Sequence, residues 1–250
     1  LLRETASRHR VHLISLRKER NRPAVDALED DYPAPGEFCD RTSLFPIPSQ
    51  ETPFGRLFVL ASGLWDSDPY DDRWLASNEI EEFLREDLPL DSYDVIHLDT
   101  LGLAQYGQWF GDTPKIMNHH NIESHMMARR AGYAGDPFRG TYMKFEARKL
   151  ARWEERWCGK YERNLVVSAL DGERLERTVS DAKWSVIANG VDTDYFQPGD
   201  IGDPDRHGLV FVGRMSWYPN EDAVEWLLRE IWPVLRSENP GLTLTLVGSS

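Results

Sequence analysis

The side chains best suited to chemistry in this sequence stand at the ends of short predicted strands. Gly213 and Arg214 follow the apolar run 209–212, and His119 and His120 follow the predicted strand 114–118. A glycine lets phosphate approach the backbone, and a guanidinium adds a permanent, forked positive charge. Imidazole titrates near neutral pH and exchanges hydrogen bonds with hydroxyl groups. These places predict an anion site at Arg214 and a hydrogen-bonding site at His120.

The anion site lies in a segment that is typical of a βαβ unit. Residues 209–212 and 242–247 have the composition of buried strands, and apolar side chains recur between them on one face of a helix. These are Val224, Leu227, Leu228, Ile231 and Leu235. Pro219 and Asn220 mark the start of this helix. The first turn of such a unit lies beside a helix N-terminus, where amide groups and the helix dipole favour an anion.

Strands and helices alternate along the rest of the chain. Strands are predicted at 11–16, 93–98, 114–118, 164–168 and 184–187, and helices at 77–86, 123–132, 140–161 and 171–179. This alternation predicts an α/β protein with parallel, doubly wound sheets in two Rossmann-like domains. Residues 21–54 show little periodicity and predict an irregular excursion, in which 44–48 covers part of a sheet edge. Residues 56–60 fit either a strand or the start of a helix.

A polar segment divides the chain. Residues 199–207 contain glycine, proline and aspartate and form the best linker candidate. The segment separates an N-terminal domain at 1–198 from the start of a C-terminal domain at 208–250. The chain opens in what resembles the last turns of a helix and stops just after a strand. We therefore expect a piece of a longer protein, with both domains incomplete.

Ligands of open parallel sheets bind beyond the carboxyl ends of the strands. The residues at these predicted ends are polar or glycine, and their joint occurrence predicts a cleft between the two domains. They are Asp99, Thr100, His119, His120, Asn121, Ser168, Asn189, Gly190, Asp192, Gly213 and Arg214. For any single one, the alternative is that it caps the next helix, with His119 packed and His120 at the cap. Adjacent strand residues point to opposite faces, so only one of the two histidines faces the cleft.

The predicted helix 140–161 carries an aromatic stripe and many basic residues. The stripe is predicted to pack in the core and consists of Tyr142, Phe145, Leu150, Trp153, Trp157 and Tyr161. The basic residues are Lys144, Arg148, Lys149, Arg152, Arg156, Lys160 and Arg163. Interleaved glutamates favour i,i+4 pairs on a solvated face. A second interpretation is a patch that contacts an anionic membrane surface.

Composition argues against several classes of protein. A net charge of −13 over 250 residues disfavours nucleic acid as the main partner, because phosphate neutralisation needs a basic surface. Only Cys39 and Cys158 occur, without metal-ligand spacing, which favours a reducing cytoplasm over a disulfide framework. No apolar run reaches transmembrane length. Phosphate-loop, dinucleotide, nucleophile-elbow and zinc motifs are absent, so neither a metal nor a cofactor is predicted.

Several runs of residues resemble glycosyltransferase family 4. They are 120–124, 145–150 with 153–154, 166–168, 189–198 and 211–224. The most specific feature is Asn-Gly-Val-Asp at 189–192 followed by Gly-Arg at 213–214, in this order and separation. The spacing is most similar to the branch that builds bacterial exopolysaccharide and other surface glycans.

This resemblance implies the GT-B fold and metal-independent sugar transfer with retention of anomeric configuration. Arg214 matches the arginine that neutralises the donor diphosphate, and Gly213 matches the glycine that admits it. His120 matches the histidine that contacts the sugar from the acceptor side, and it is the catalytic candidate. The remaining cleft candidates on the acceptor side are Asn121, Ser168, Asn189, Gly190 and Asp192. Two features depart from the family: the lysine usual after the arginine is missing, and the paired glutamates would lie beyond residue 250.

The resemblance also implies the partners. They are a nucleoside-diphosphate-sugar donor, which is a substrate and not a cofactor, and a glycan or lipid-linked acceptor. The expected location is the cytoplasm, and peripheral contact with the inner membrane surface is a second possibility. Two rival functions stay open: a nucleotide-sugar epimerase of the same fold, and a catalytically silent binding or scaffold protein.

Overall fold

The computed structural model describes residues 2–17, 35–48, 63, 66–197 and 208–249. The chain divides into two compact units, Leu1–Asn189 and Gly190–Ser250. All strand pairs in the described ranges are parallel, which confirms the predicted α/β class. The predicted linker 199–207 and the ambiguous segment 56–60 lie outside the described residues, and the predicted domain limits stay a prediction.

A four-stranded parallel sheet forms the centre of the first unit. Its strands are β3 (Ile96–Leu98), β4 (Lys115–His119), β5 (Arg163–Val166) and β6 (Trp184–Val186), paired in that order. Helical segments fill every connection, as parallel pairing requires. The last residues of these strands therefore lie along one edge of the sheet, which we call the carboxyl edge.

Two more strands form a separate parallel pair. Helix α1 (Leu2–Ala6) leads into β1 (His12–Arg17), and a 3₁₀ turn at Pro35–Glu37 precedes β2 (Arg41–Pro46). The prediction of an irregular excursion at 21–54 is therefore wrong at 41–46. The strand conformation of β2 comes from its partner β1, which local periodicity does not reveal. Pro46 stands at the last strand position, where a missing amide is tolerated.

Short helices cover the sheet before β3. They are α2 (Tyr70–Leu75) and α3 (Asn78–Glu82), the latter continued by a π-helical turn at Phe83–Asp87. The Ser77 hydroxyl accepts a hydrogen bond from the Ile80 amide and caps α3, as predicted. Ile80 and Leu84 are buried in the core. A 3₁₀ turn at Leu90–Ser92 precedes β3, and a longer 3₁₀ helix at Leu101–Phe110 joins β3 to β4.

Two antiparallel helices connect β4 to β5. They are α4 (Glu123–Gly132) and α5 (Pro137–Trp157), followed by a 3₁₀ turn at Cys158–Lys160. The Asp136 side chain accepts from the Phe138 amide and caps α5, with Pro137 at the first helical position. We call α4 and α5 the helical hairpin. Its base is fixed by hydrogen bonds from Ser124 to Glu154.

The first unit has one main core of aromatic and aliphatic side chains. It includes Leu150, Trp153, Trp157 and Tyr161 of the predicted aromatic stripe, which confirms the core role of these four. Phe145 does not belong to it, because its side chain lies on the solvent side of α5 and is 37 % exposed. Helix α6 (Ala169–Thr178) joins β5 to β6 and packs Leu175 into the same core.

The second unit contains the predicted βαβ crossover. Strand β7 (Gly208–Val212) pairs in parallel with β8 (Thr243–Val247). The helix between them has three parts: α7 (Tyr218–Trp226), a π-helical turn at Leu227–Ile231, and α8 (Trp232–Glu238). Pro233 stands in the first turn of α8, where its missing amide costs least. The proline explains why regular α-helical bonding is interrupted just before it.

Candidate functional site

Strand register brings three polar side chains together at the carboxyl edge. Leu98 pairs with Met117, so Asp99 stands opposite Asn118, and His120 lies two residues further along on the same face. Asn118 Nδ2 donates to Asp99 Oδ1 at 2.7 Å, and His120 Nε2 lies 3.3 Å from the same oxygen. We call Asp99, Asn118 and His120 the edge cluster. The side chains of Asp99 and His120 are both more than half exposed, so a ligand can reach them.

The edge cluster fixes what His120 can do. When Nε2 carries the hydrogen and points at the Asp99 carboxylate, the opposite ring nitrogen, Nδ1, is left as a hydrogen-bond acceptor. Nδ1 has no hydrogen-bond partner among the described residues. A carboxylate behind an imidazole orients the ring and fixes its tautomer. The arrangement can therefore orient a hydroxyl group and accept a proton from it.

His119 points the other way, as strand alternation predicts. It is buried, and its Nε2 lies 3.0 Å from Asn164 Oδ1 on the neighbouring strand. Burial lowers the pKa of His119, and the bond to Asn164 opposes this shift. The packed role suggested for His119 is thus confirmed. The suggested cap role of His120 is wrong, because Ile122 occupies the N-cap of α4 and His120 contacts Asp99 instead.

A second histidine stands beside the edge cluster. His97 lies two residues before Asp99 on the same face of β3. Partial desolvation lowers the pKa of His97, Asp99 opposes the shift, and His120 contributes a further lowering. This environment favours the neutral imidazole at His97 near pH 7.

The other acceptor-side candidates lie on loops with different contacts. Ser168 caps α6, since its hydroxyl accepts from the Asp171 amide and donates to Asp171 Oδ2 at 2.6 Å. Asp192 forms a local turn in which Oδ1 accepts from the amides of Asp194 and Tyr195. Asn121, Asn189 and Gly190 are exposed, and the division between the two units falls between Asn189 and Gly190. The functional roles of all five stay predictions.

A small acidic cavity lies next to the edge cluster. It has a volume of about 20 Å³, and its polar lining comes from Asp71, Asp72, Thr100 and Glu123. Thr100 directly follows Asp99, and Glu123 opens the helix that follows His120. Asp72 is only 4 % exposed, and its Oδ1 has no hydrogen-bond partner among the described residues. An ionised carboxylate in such a place is costly.

The pKa values in this cavity reflect that cost. Burial raises the pKa of Asp72 to about 8, and Asp68 adds to the rise. Burial also raises the pKa of Glu123 to about 7, with further contributions from Asp71 and Glu154. At neutral pH, Asp72 is therefore mostly protonated and Glu123 is close to half-titrated.

Three charged residues of α5, Glu146, Lys149 and Glu154, are buried and therefore do not belong to the predicted solvated face. Lys149 is 2 % exposed, pairs with Glu146 at 3.1 Å and donates to the Gly63 carbonyl. Glu154 is fully buried and accepts from the amide and the hydroxyl of Ser124. Lys149 and Glu154 each also have a hydrogen-bond partner from outside the helix, which the pattern along α5 alone does not reveal.

In the second unit, Gly213 and Arg214 form the turn between β7 and α7, as predicted. The Arg214 carbonyl accepts from the Trp217 amide at 3.2 Å and from Asn220 Nδ2 at 3.0 Å. A Cβ on Gly213 would lie 2.8 Å from Asn220 Nδ2, so the glycine makes room for this bond. The Arg214 side chain is exposed and forms no ion pair within the described residues. Its donor-binding role stays a prediction.

A parallel α/β sheet with polar groups at its carboxyl edge is consistent with the class of Rossmann-like glycosyltransferases. The family model described as Glycosyltransferase Family 4 matches residues 1–195. The chain therefore belongs to glycosyltransferase family 4. A search of curated proteins gave no match.

Within the described ranges, no helix is both long and apolar enough to cross a membrane. No group of three or more histidine, cysteine, aspartate or glutamate side chains is arranged there to hold a metal ion. The prediction of a metal-independent reaction remains a prediction.

Asn118 is the member of the edge cluster that is missing from the predicted cleft residues. Asp99 was recognised as a strand end, but its pairing with His120 depends on the register between β3 and β4. The available signal was the period of two: 97, 99, 118 and 120 share one face if the two strands are parallel and in this register.

Proposed function

We propose that this chain transfers a sugar from a nucleoside-diphosphate sugar to a hydroxyl group of a glycan or lipid-linked acceptor. The transfer would be metal-independent, retain the anomeric configuration and serve surface polysaccharide synthesis in the cytoplasm. The observation that carries the proposal is the contact of His120 with Asp99 at the carboxyl edge of a family 4 domain.

On the acceptor side, His120 Nδ1 accepts the hydrogen bond that orients the attacking hydroxyl. Asp99 holds the ring in the required tautomer through Nε2, and Asn118 holds Asp99. The acceptor oxygen then forms a bond to the anomeric carbon. The bond from that carbon to the diphosphate breaks on the same face, so the configuration is retained, and its electron pair stays on the phosphate oxygen. The hydroxyl proton passes to His120 Nδ1 and from there to solvent.

On the donor side, Arg214 stabilises the charge that develops on the leaving diphosphate. A fixed guanidinium at a turn before a helix N-terminus suits this task, because two kinds of positive potential act at the same place. The dipole of α7 adds positive potential at this turn, where the family's usual lysine is missing.

The acceptor-side role is tested by turnover in the intact protein. We expect His120→Ala to lower turnover by about two to four orders of magnitude, the usual contribution of a positioned acid or base. Asp99→Asn should lower it less, because the ring stays but loses its orienting carboxylate. His125→Ala, which changes a histidine outside the edge cluster, is the matched control. Equal activity of His120→Ala and the unchanged protein would remove the proposed role.

The donor-side role is tested by calorimetric titration with UDP and GDP. Arg214→Ala should weaken binding of whichever diphosphate binds by about tenfold to a hundredfold, the size of a lost charge-assisted hydrogen bond. Arg229→Ala, an exposed arginine of the same unit that pairs with Glu225, should leave binding unchanged. His120→Ala should also leave diphosphate binding unchanged while it lowers turnover, which separates the two roles.

The two rival functions give different products. An epimerase would convert a sugar nucleotide into a free epimer without any acceptor, whereas a transferase releases nucleoside diphosphate in step with acceptor glycosylation. A scaffold protein would bind without turnover. Analysis of the products with and without acceptor therefore distinguishes all three.

A further inference from the structure

The tip of the helical hairpin exposes two aromatic side chains. Phe138 is 87 % exposed and Tyr133 is 78 % exposed. They stand at the start of α5 and directly after α4, only five residues apart in sequence. The tip backbone is well defined, since Asp136 caps α5 and the Tyr133 amide donates to Arg130. Two large aromatic side chains held outward at neighbouring positions mark an interaction surface.

The surroundings of these aromatic residues are basic in an otherwise acidic chain. Residues 126–149 contain six basic and two acidic residues, against a net charge of −13 for the whole chain. Of these, Lys149 and Glu146 are buried and pair with each other. This leaves exposed or half-exposed cations at Arg129, Arg130, Arg139, Lys144 and Arg148, and one exposed acid at Asp136.

Three cations further along α5 and beyond it already have contacts within the protein, whereas Arg152 is exposed and forms none within the described residues. Arg156 lies over the rings of Trp153 and Trp157, Lys160 lies over Trp157, and Arg163 donates to the Trp184 carbonyl. By contrast, Arg129, Arg139 and Lys144 form no ion pair or hydrogen bond through their side chains within the described residues. Exposed positive charge without a partner in the described residues therefore surrounds the aromatic tip and continues along α5 through Arg148 to Arg152.

We propose that this tip binds the surface of an anionic phospholipid membrane. We call Tyr133, Phe138, Arg129, Arg139 and Lys144 the tip surface. Aromatic rings favour the boundary between headgroups and acyl chains, and neighbouring arginine and lysine side chains bind anionic headgroups. The combination of positive charge with two highly exposed aromatic rings favours lipid over an acidic protein partner. Charge alone would serve either partner, but the rings can enter the headgroup region of a bilayer. The proposal does not depend on the proposed sugar transfer.

The geometry of the hairpin gives this binding mode a defined height. Helix α4 leaves the carboxyl edge directly after His120 and ends at the tip, and its ten residues span about 15 Å. A membrane bound at the tip would thus lie about one short helix away from the edge cluster along α4. A lipid-linked hydroxyl that extends from the bilayer by a few sugar units would reach that distance.

Vesicle cosedimentation of the full chain tests the proposal. We expect binding to vesicles made of equal parts phosphatidylcholine and phosphatidylglycerol, weaker binding in high salt, and little binding to pure phosphatidylcholine. Tyr133→Ser with Phe138→Ser should weaken binding by about tenfold, and Arg129→Gln with Arg139→Gln by about tenfold or more. The matched controls are Tyr195→Ser with Phe196→Ser, two exposed aromatic residues elsewhere, and Arg177→Gln with Arg229→Gln.

A fluorescent label gives a second, local readout. Both native cysteines are buried, so Tyr133→Cys can be labelled selectively with an environment-sensitive dye. The dye emission should shift to the blue on anionic vesicles, and a dye at Tyr195→Cys should not shift. Absence of binding to either vesicle, equal losses in the control variants, or a loss confined to the arginine variant with no shift at position 133 would each overturn the proposal. Binding to an acidic protein in place of vesicles would also overturn it.

Discussion

Replacement of Asp72 by asparagine should stabilise the protein at alkaline pH and not at acidic pH. The unfolded chain ionises this aspartate near its ordinary pKa of 3.8, whereas burial raises the folded-state pKa to about 8. Between these values the folded protein holds a proton that the unfolded chain has lost. The free energy of unfolding therefore falls as pH rises through this window and levels off above it.

The structure sets the size of the effect. A pKa rise from 3.8 to about 8 corresponds to a ceiling of about 6 kcal/mol, at about 1.36 kcal/mol per pKa unit. Asparagine cannot ionise, so the variant escapes this cost. The asparagine side chain would still be buried at a place where Asp72 Oδ1 has no hydrogen-bond partner in the described part of the chain. An unsatisfied polar group of this kind costs about 1–3 kcal/mol. We expect a net gain of a few kcal/mol at pH 9 and a small loss at pH 4, values that bracket the window.

Urea denaturation across this pH range measures the difference directly. The free energy of unfolding of Asp72→Asn minus that of the unchanged protein should be slightly negative at pH 4 and positive at pH 9. Asp91→Asn, which changes an exposed aspartate of the same unit, should shift stability by less than about 0.5 kcal/mol at every pH. A constant difference between Asp72→Asn and the unchanged protein from acid to alkali would refute the assignment of a buried, protonated carboxyl group.

Three further substitutions test other parts of the first unit. Glu123→Gln should also stabilise the protein as pH rises, but the gain should level off near pH 7, because burial raises the pKa of Glu123 from 4.5 only to about 7. Urea denaturation over the same pH series separates this window from that of Asp72. A gain that still grows above pH 8 would contradict the assignment. Lys149→Met should lower the free energy of unfolding by about 3–5 kcal/mol, since it leaves Glu146 buried without its cation. Lys144→Met changes an exposed lysine and should shift the free energy of unfolding by less than about 0.5 kcal/mol. Similar values for both variants would refute the buried pair. Gly172→Ala should destabilise the protein by about 1–3 kcal/mol, because the added Cβ would lie 2.5 Å from the Trp184 ring. The Cβ of Gly132→Ala meets open space, so this variant should gain up to about 1 kcal/mol in thermal or urea unfolding. A neutral Gly172→Ala would show that α6 and β6 are not packed this closely.

Much of the fold could be predicted because its signals are local. The βαβ unit of the second unit, the helix capped by Ser77 and the strands around His119 all follow from the period of apolar side chains and from cap residues. Strand β2 could not be predicted in the same way. Its conformation depends on pairing with β1 across a segment of more than twenty residues.

The candidate site shows the same division between local and distant information. Alternation along β4 predicts that only one of the two histidines faces the cleft, and the structure shows that His119 is the buried one. The contact of His120 with Asp99 depends on the register of β3, and the hydrogen bond of buried Lys149 to the Gly63 carbonyl depends on the position of residue 63. Contacts between distant segments decide which polar side chains are paired, and a single sequence does not contain them.

The turn that carries Arg214 has a consequence for how this arginine can respond to its surroundings. Its carbonyl is fastened by Trp217 and Asn220, and the amides on either side donate to the carbonyls of Val247 and Ser249. The main chain is therefore clamped on both flanks, and only the side chain can swing. Hydrogen exchange at these amides should report opening of the β7–β8 ladder, and the guanidinium can change its contacts without altering those rates.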